Sequence, residues 1–443
     1  MRSSRRAFLA SMLTSVATPA VLRLARADAP QLTLKLHHAF SAVSAVHEKF
    51  LAPWARRVEA DCGNRFRIDL FPSMQLGGAP AQLFDQARDG IADIVWAAPG
   101  APPGRFAKSE TFELPFVLSH RALVNSKALT DFAAANLQDE FREFHTLCFS
   151  CRDHGVLHTA RAIKSIDDLR GLRLHAPNRL ASESVRALGA QGVSVPAPQV
   201  PMALSARVID GCLDPWDAVP GLRLGDSLKQ HTDFAERALS SATFVLAMNK
   251  QAYDRLPPEA KIAFDDNSGQ PAASLAGAMW DLEAKAIAGA ARDRGETVVV
   301  IGGAELARWR KATEPVIAGW QKQMRDRKLD GGKLLAEVHA LLAKYADEPD
   351  PQPQATRRPA QPPEQKAVTE PPSEAAQPKP EAVTPPKADA PALKAAMSPP
   401  PSASAVPTPA QPPAASMSPP PTPAQPSPAP MAAPKLKTFD IPL

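Results

Sequence analysis

Little in this chain concentrates charge. Its 443 residues carry 51 Lys and Arg against 46 Asp and Glu, a formal net charge of +5 with no clustered basic stretch. That excludes the electrostatic footprint of a nucleic-acid binder; no basic helix, finger spacing or aromatic–basic RNA motif occurs. Catalytic signatures are missing too: no Ser–His–Asp order, no phosphate loop and no zincin motif. The chain is therefore not read as an enzyme, and no cofactor or resident metal is expected. Cysteine is scarce, four residues in all. Cys148 and Cys151 form C-x-x-C, but TLCFSC reads as a strand. A strand sends those two thiols to opposite faces, too far apart to bridge. Nothing in the sequence pairs Cys62 with Cys212.

What is present divides into three parts. Residues 1–27 read as an export signal: Ser4-Arg5-Arg6-Ala7-Phe8-Leu9 has the twin-arginine form, and Ala25-Arg26-Ala27 is an A-x-A cleavage site, so the mature chain is expected to begin at Asp28. The apolar stretch between them is too short to span a bilayer, and Arg23 and Arg26 interrupt it. From Pro349 the composition breaks: 29 of the 48 prolines lie in 349–443, with almost no aromatics and a loose MSPPP repeat at 397 and 417. Such a segment buries too little apolar area to offset its ordering entropy, so it reads as a disordered Pro/Ala-rich tail with polyproline character. The middle part, 44% hydrophobic content across the chain supporting a core, is long enough for two lobes.

The middle part is organised around Arg161 to Trp216. LRLHA (172–176) has the look of a strand after Gly171; Asn178 can cap the helix ASESVRALGA that follows; GVSVPAP is a second strand; VPMALSARVIDG is a second helix with Pro201 in its first turn. Upstream, LTLKLHHAF (32–40) alternates Leu32, Leu34 and Leu36, RFRIDLF (65–71) and ADIVWAA follow as strands, and helices separate them. This is an α/β protein whose strands end at helix N-termini, the place where open sheets bind ligands.

The wording of these segments adds a resemblance. D-L-R-G-L-R-L-x-A-P-N, A-L-G-A, V-P-A-P-Q-V-P-x-A-L and V-I-D-G, preceded by FPSMQLGG (71–78), DGIADIVWAAPG (89–100), PGRF (103–106) and FELPF (112–116), resemble the DctP-like periplasmic solute-binding proteins of TRAP (tripartite ATP-independent periplasmic) transporters over roughly residues 31–340. The resemblance implies a two-lobed periplasmic-binding-protein-like fold with a long lobe-spanning helix in QPAASLAGAMWDLEAKAIAGAARDRG. Lobe I is expected from 28–152 and 241–275, lobe II from 153–240 and 276–348, with helices near 304–326 and 331–345 packing on lobe II. It implies a monomeric periplasmic receptor that takes a small organic solute, a carboxylate among the candidates, to TRAP-type permease subunits. A ligand sensor or metal-binding periplasmic protein without a transport role is the alternative.

Candidate ligand-binding residues sit at strand ends: His37 and Phe40, Trp96, His154, His175 and Asn178, Asp214 and Trp216. In the resembling family an arginine at the position of His175 pairs with the solute's carboxylate; this chain has histidine. The tyrosine often found near Pro201 and the Asn that often follows D-G are also missing, with Asp214 in the latter's neighbourhood. His154 and His158 stand at H-x-x-x-H, a spacing that suits metal ligation on a helix, but their segment reads as extended. The aromatic pair points to a planar or partly apolar solute.

The tail has no core-forming pattern. A chain truncated after Glu348 is expected to keep its melting temperature and ligand affinity; a large loss of either would show that the tail docks on the lobes.

Overall fold

The computed structural model describes residues 32–63 and 66–352. The signal and tail readings, 1–27 and 349–443, fall outside the described residues apart from 349–352.

Eleven strands form two sheets among the described residues. In chain order they are β1 (Leu32–His38), β2 (Phe66–Phe71), β3 (Ile94–Ala97), β4 (Phe144–Cys151), β5 (Gly155–Thr159), β6 (Arg173–His175), β7 (Gln191–Val193), β8 (Gly211–Pro215), β9 (Gln230–Phe234), β10 (Thr243–Asn249) and β11 (Thr297–Ile301). The first sheet runs β2-β1-β3-β10-β4, the second β11-β9-β5-β8-β6-β7. β1 is parallel to β2 and β3, whereas β10 is antiparallel to β3 and β4. β10, TFVLAMN, is buried along its whole length, as a central strand covered on both faces must be.

Alternation along β3, β4 and β10 supplies two cores. Val95, Ala97, Val245, Ala247 and Cys151 face one side; Ile94, Trp96, Leu246, Met248 and Cys148 face the other. The C-x-x-C thiols therefore lie on opposite faces of the sheet. Both are free and buried, and burial pushes both thiols far above the ordinary thiol range.

The helices that position the cleft are α1 (Ala52–Asp61), α2 (Ala122–Asn136), α3 (Arg179–Ala187), α4 (Gln270–Asp293), α5 (Gly303–Asp326) and α6 (Gly331–Lys344). α4 is the lobe-spanning helix. Its first half, Ala272 to Trp280, packs in the core of the first sheet; Ala284, Ala288 and Ala291 pack with Val156 and Trp216 beneath the second. Small residues let it lie close to α2: a Cβ on Gly277 would stand 2.6 Å from Leu123 Cα. One turn on, the Asp281 carboxylate accepts from Ala122 N at 2.6 Å and Leu123 N at 3.0 Å, capping α2, whose own N-cap side chain makes no such bond.

The two C-terminal helices depart from the expectation that both pack on the second lobe. α5 begins there with Leu306 and Trp309 but ends in the first lobe with Val316, Trp320 and Met324. α6 packs on α2 through Leu334, Val338 and Leu342. Their apolar faces were legible; which lobe those faces meet is decided by the direction of α5.

Gly277→Ala is expected to destabilise the protein by about 1–3 kcal/mol, because the new methyl meets α2 main chain that cannot move aside. Denaturant melts of the variant check this; an unchanged midpoint would show that α2 and α4 are not held at this distance.

Candidate functional site

The chain passes between sheets three times, once through α4 into β11 and twice through short crossovers: β4 runs directly into β5 through 152–154, and β9 returns to β10 through 235–242. The crossovers lie side by side, tied by Arg152 N to Ala242 O (2.9 Å), Gly155 N to Ser240 O (2.8 Å) and Ser241 Oγ to Arg152 O (2.9 Å). Asn178 joins them from the second lobe. Its Oδ1 accepts from Ala181 N at 2.8 Å, capping α3, while its Nδ2 donates to Ser241 O at 3.1 Å. A hollow between the lobes is lined by Arg152, Asp153, Pro177, Pro215, Ser240 and Ser241, and as it stands it admits about one water.

Arg152 dominates the electrostatics of this hollow. Its guanidinium donates from Nε to Asp217 Oδ1 at 2.9 Å and from Nη2 to Oδ2 at 2.5 Å. Burial pushes the Asp217 carboxyl up, against the pull of this bidentate pairing. The guanidinium also lies 5.8 Å from the ring centre of Phe40 and 5.5 Å from that of Trp280. Nη1 has no hydrogen-bond partner among the described residues, and it is the free edge of a fixed cation.

Asp214 stands close by, 3% exposed, with Oδ2 unpartnered. Burial pushes its carboxyl up to about 7, against the pull of Arg152 and with the push of Asp217. His175 Nε2 is 3.6 Å from Asp214 Oδ2, beyond hydrogen-bond length. Burial also lowers the His175 ring, so burial works against an ion pair between the two from both sides.

The structure brings Phe40, Asn178, His175 and Asp214 to the neighbourhood of the hollow and its hinge. It takes others away. Trp96, 1% exposed, is stacked on Phe244 at 5.4 Å inside the first core. Trp216, 2% exposed, packs against His158 and His231 inside the second. Both tryptophans are core, because β3 and β8 are interior strands covered on both faces. His37 is buried against Gln86, with Nδ1 2.7 Å from Oε1, and His38 meets His47 at 3.0 Å. His154 is held between Asp153 and Asp233 at 2.9 Å each. His158 meets His231 at 2.8 Å. Sequence reasoning missed Arg152, Asp217 and Trp280. The signal was at hand for the first: an arginine at the end of a strand entering a crossover.

A two-lobed α/β chain with a polar cleft at paired crossovers is a solute-binding receptor of the periplasmic-binding type. The chain belongs to the bacterial extracellular solute-binding protein family 7 (DctP), whose profile matches residues 36–323. The family's TRAP receptors are periplasmic; they capture a small solute between two lobes and deliver it to a membrane permease. Among solved structures, a TRAP solute-binding protein from a marine metagenome, in complex with 3-hydroxybenzoate, is 36% identical with a TM-score of 0.69, covering 72% of this chain and 99% of that one. A TRAP solute-binding protein from Rhodoferax ferrireducens with copurified benzoate is 36% identical with a TM-score of 0.68, covering 71% and 98%. The outer membrane transporter protein TsaT of Comamonas testosteroni is 25% identical over 338 residues, 75% of this chain and 97% of that protein.

Asp214 makes stability depend on pH with a defined sign. Its native carboxyl titrates near 7 and its unfolded one near 3.8, so between those values the native state holds a proton that the unfolded chain has released. Stability therefore falls as pH rises across that window and the loss is complete above about 7. Asp214→Asn removes this contribution. Its melting temperature relative to the unmodified protein is expected to rise by a few degrees from pH 4 to pH 8; a constant difference would show that Asp214 is ionised throughout.

Proposed function

We propose that this chain is the receptor for an aromatic carboxylic acid, and that Arg152 holds the acid's carboxylate. The free Nη1 edge of a cation fixed by Asp217 carries this reading. Phe40, partly buried, offers a face to a planar ring while the fully buried Trp280 backs the guanidinium, Pro177 and Pro215 close the walls, and Asp214 offers a carboxyl that donates rather than repels when protonated. Two relatives at 36% identity hold benzoate and 3-hydroxybenzoate, which supports the same class of solute. The cation that the family places at the position of His175 is supplied here from the crossover, so histidine at 175 does not argue against an acid.

Entry of a ring into so small a hollow requires the lobes to part about the two crossovers. The moving bodies are 28–152 with 241–275, joined by α6, against 153–240 with the second half of α4. The receptor acts as a monomer, without enzymatic activity, after export by the twin-arginine route, and hands its solute to a TRAP-type permease.

Calorimetry with benzoate, 3-hydroxybenzoate and the neutral isostere benzamide tests the assignment. The acids are expected to bind and benzamide to bind at least roughly a hundredfold more weakly, a loss in the range for one side of a buried charge contact. Arg152→Met combined with Asp217→Asn, which leaves no unpaired buried charge, is expected to abolish the difference. Equal binding of benzamide and benzoate would overturn the reading.

A further inference from the structure

Behind the cleft, three segments converge on a second set of ligating atoms. His120 ends the loop that leads into α2, His154 lies in the first crossover, and Asp233 stands near the end of β9, where the second crossover begins. One ligand atom from each lies within 4.8 Å of the others. None of the three lines the hollow; only their neighbour Asp153 touches both.

The arrangement has the parts of a metal centre. His154 Nε2 is 2.9 Å from Asp233 Oδ1. Tetrahedral donors each about 2.1 Å from zinc stand about 3.4 Å apart, so this pair, now at hydrogen-bond length, would open by about half an ångström to share a cation. The outer shell is in place. Asp153 Oδ1 lies 2.9 Å from His154 Nδ1, the carboxylate–histidine pairing that orients metal-bound imidazoles, and the main chain of Arg237 bonds the His120 ring. Two atoms of the cluster are left over: His120 Nε2 and Asp153 Oδ2 are buried without a partner, and Asp153 is 98% buried.

We propose that His120, His154 and Asp233 form a hinge site for a first-row transition-metal dication of the zinc type, completed by water. Two imidazoles and a carboxylate are a borderline donor set that favours such ions over calcium or magnesium. Ligation requires the His120 ring to leave its 4.3 Å stack on His154 and turn Nε2 towards the common centre. The ion would pin the loop before α2 to both crossovers, and it is a fixture of the hinge, independent of the solute in the cleft.

The test is titration of the full mature chain, stripped with a chelator, with Zn²⁺ alone, followed by calorimetry, thermal melting and X-ray absorption. One equivalent of Zn²⁺ is expected to bind and raise the melting temperature, with imidazole scattering from two histidines. His120→Ala also removes the ring's bond to the Arg237 main chain and its stack on His154, so the stripped variant should melt somewhat lower than the stripped parent, and the Zn²⁺-induced rise above each protein's own stripped value is what is compared. Its Zn²⁺ affinity should fall at least roughly tenfold and its imidazole signal should drop to one ring. Asp233→Asn provides a second variant with the same expected loss of affinity. Absence of stoichiometric Zn²⁺ binding, or binding that His120→Ala leaves unchanged, overturns the proposal and leaves His154 as a proton-bearing link between two carboxylates.

Discussion

One guanidinium must serve several carboxyls at the point where the chain crosses between lobes. Arg152 is tied bidentately to Asp217, and Asp214 and Asp153 stand within its field. In a buried setting a second carboxylate beside a satisfied ion pair has no counter-charge, so Asp214 keeps its proton to about pH 7. A buried pair of this kind adds little net stability over an apolar replacement, but removing one partner is costly. Its value here is positional: it fixes a cation against Phe40 and Trp280 with one edge free.

That cation is held in place by elements remote in sequence. Asp217 follows β8, Phe40 follows β1, and Trp280 comes from α4. α4 can reach both lobes because its contact faces are alanine and glycine, which let the helix approach α2 closely, and because Asp281 caps α2 from across the interface. The main-chain bonds between the crossovers then make 152–155 and 240–242 a paired hinge, with Asn178 linking α3 to it.

Much of this was legible beforehand. The strand and helix pattern, the extended TLCFSC segment with its separated thiols, the Asn178 cap and the long α4 all follow from local periodicity and cap chemistry. Membership of the family followed from ordered motifs. The candidate site was legible only in part. Strand-end position pointed to Asp214, His175, Phe40 and Asn178, but the same rule chose Trp96 and Trp216, which sheet order places inside the cores. Arg152 was passed over in favour of the cysteines and histidines around it.

The sequence by itself determined the α/β elements and the family, because periodicity, caps and motif order are local properties of the chain; the two-lobed division came only with the resemblance. Tertiary structure alone decided which polar side chains share a space. Arg152 meets Asp217 across 65 residues and His154 meets Asp233 across 79. Helix direction carries α5 back to the first lobe and brings α6 onto α2. Burial, and with it the protonation of Asp214, depends on what the opposite lobe covers, and no local pattern encodes that distance.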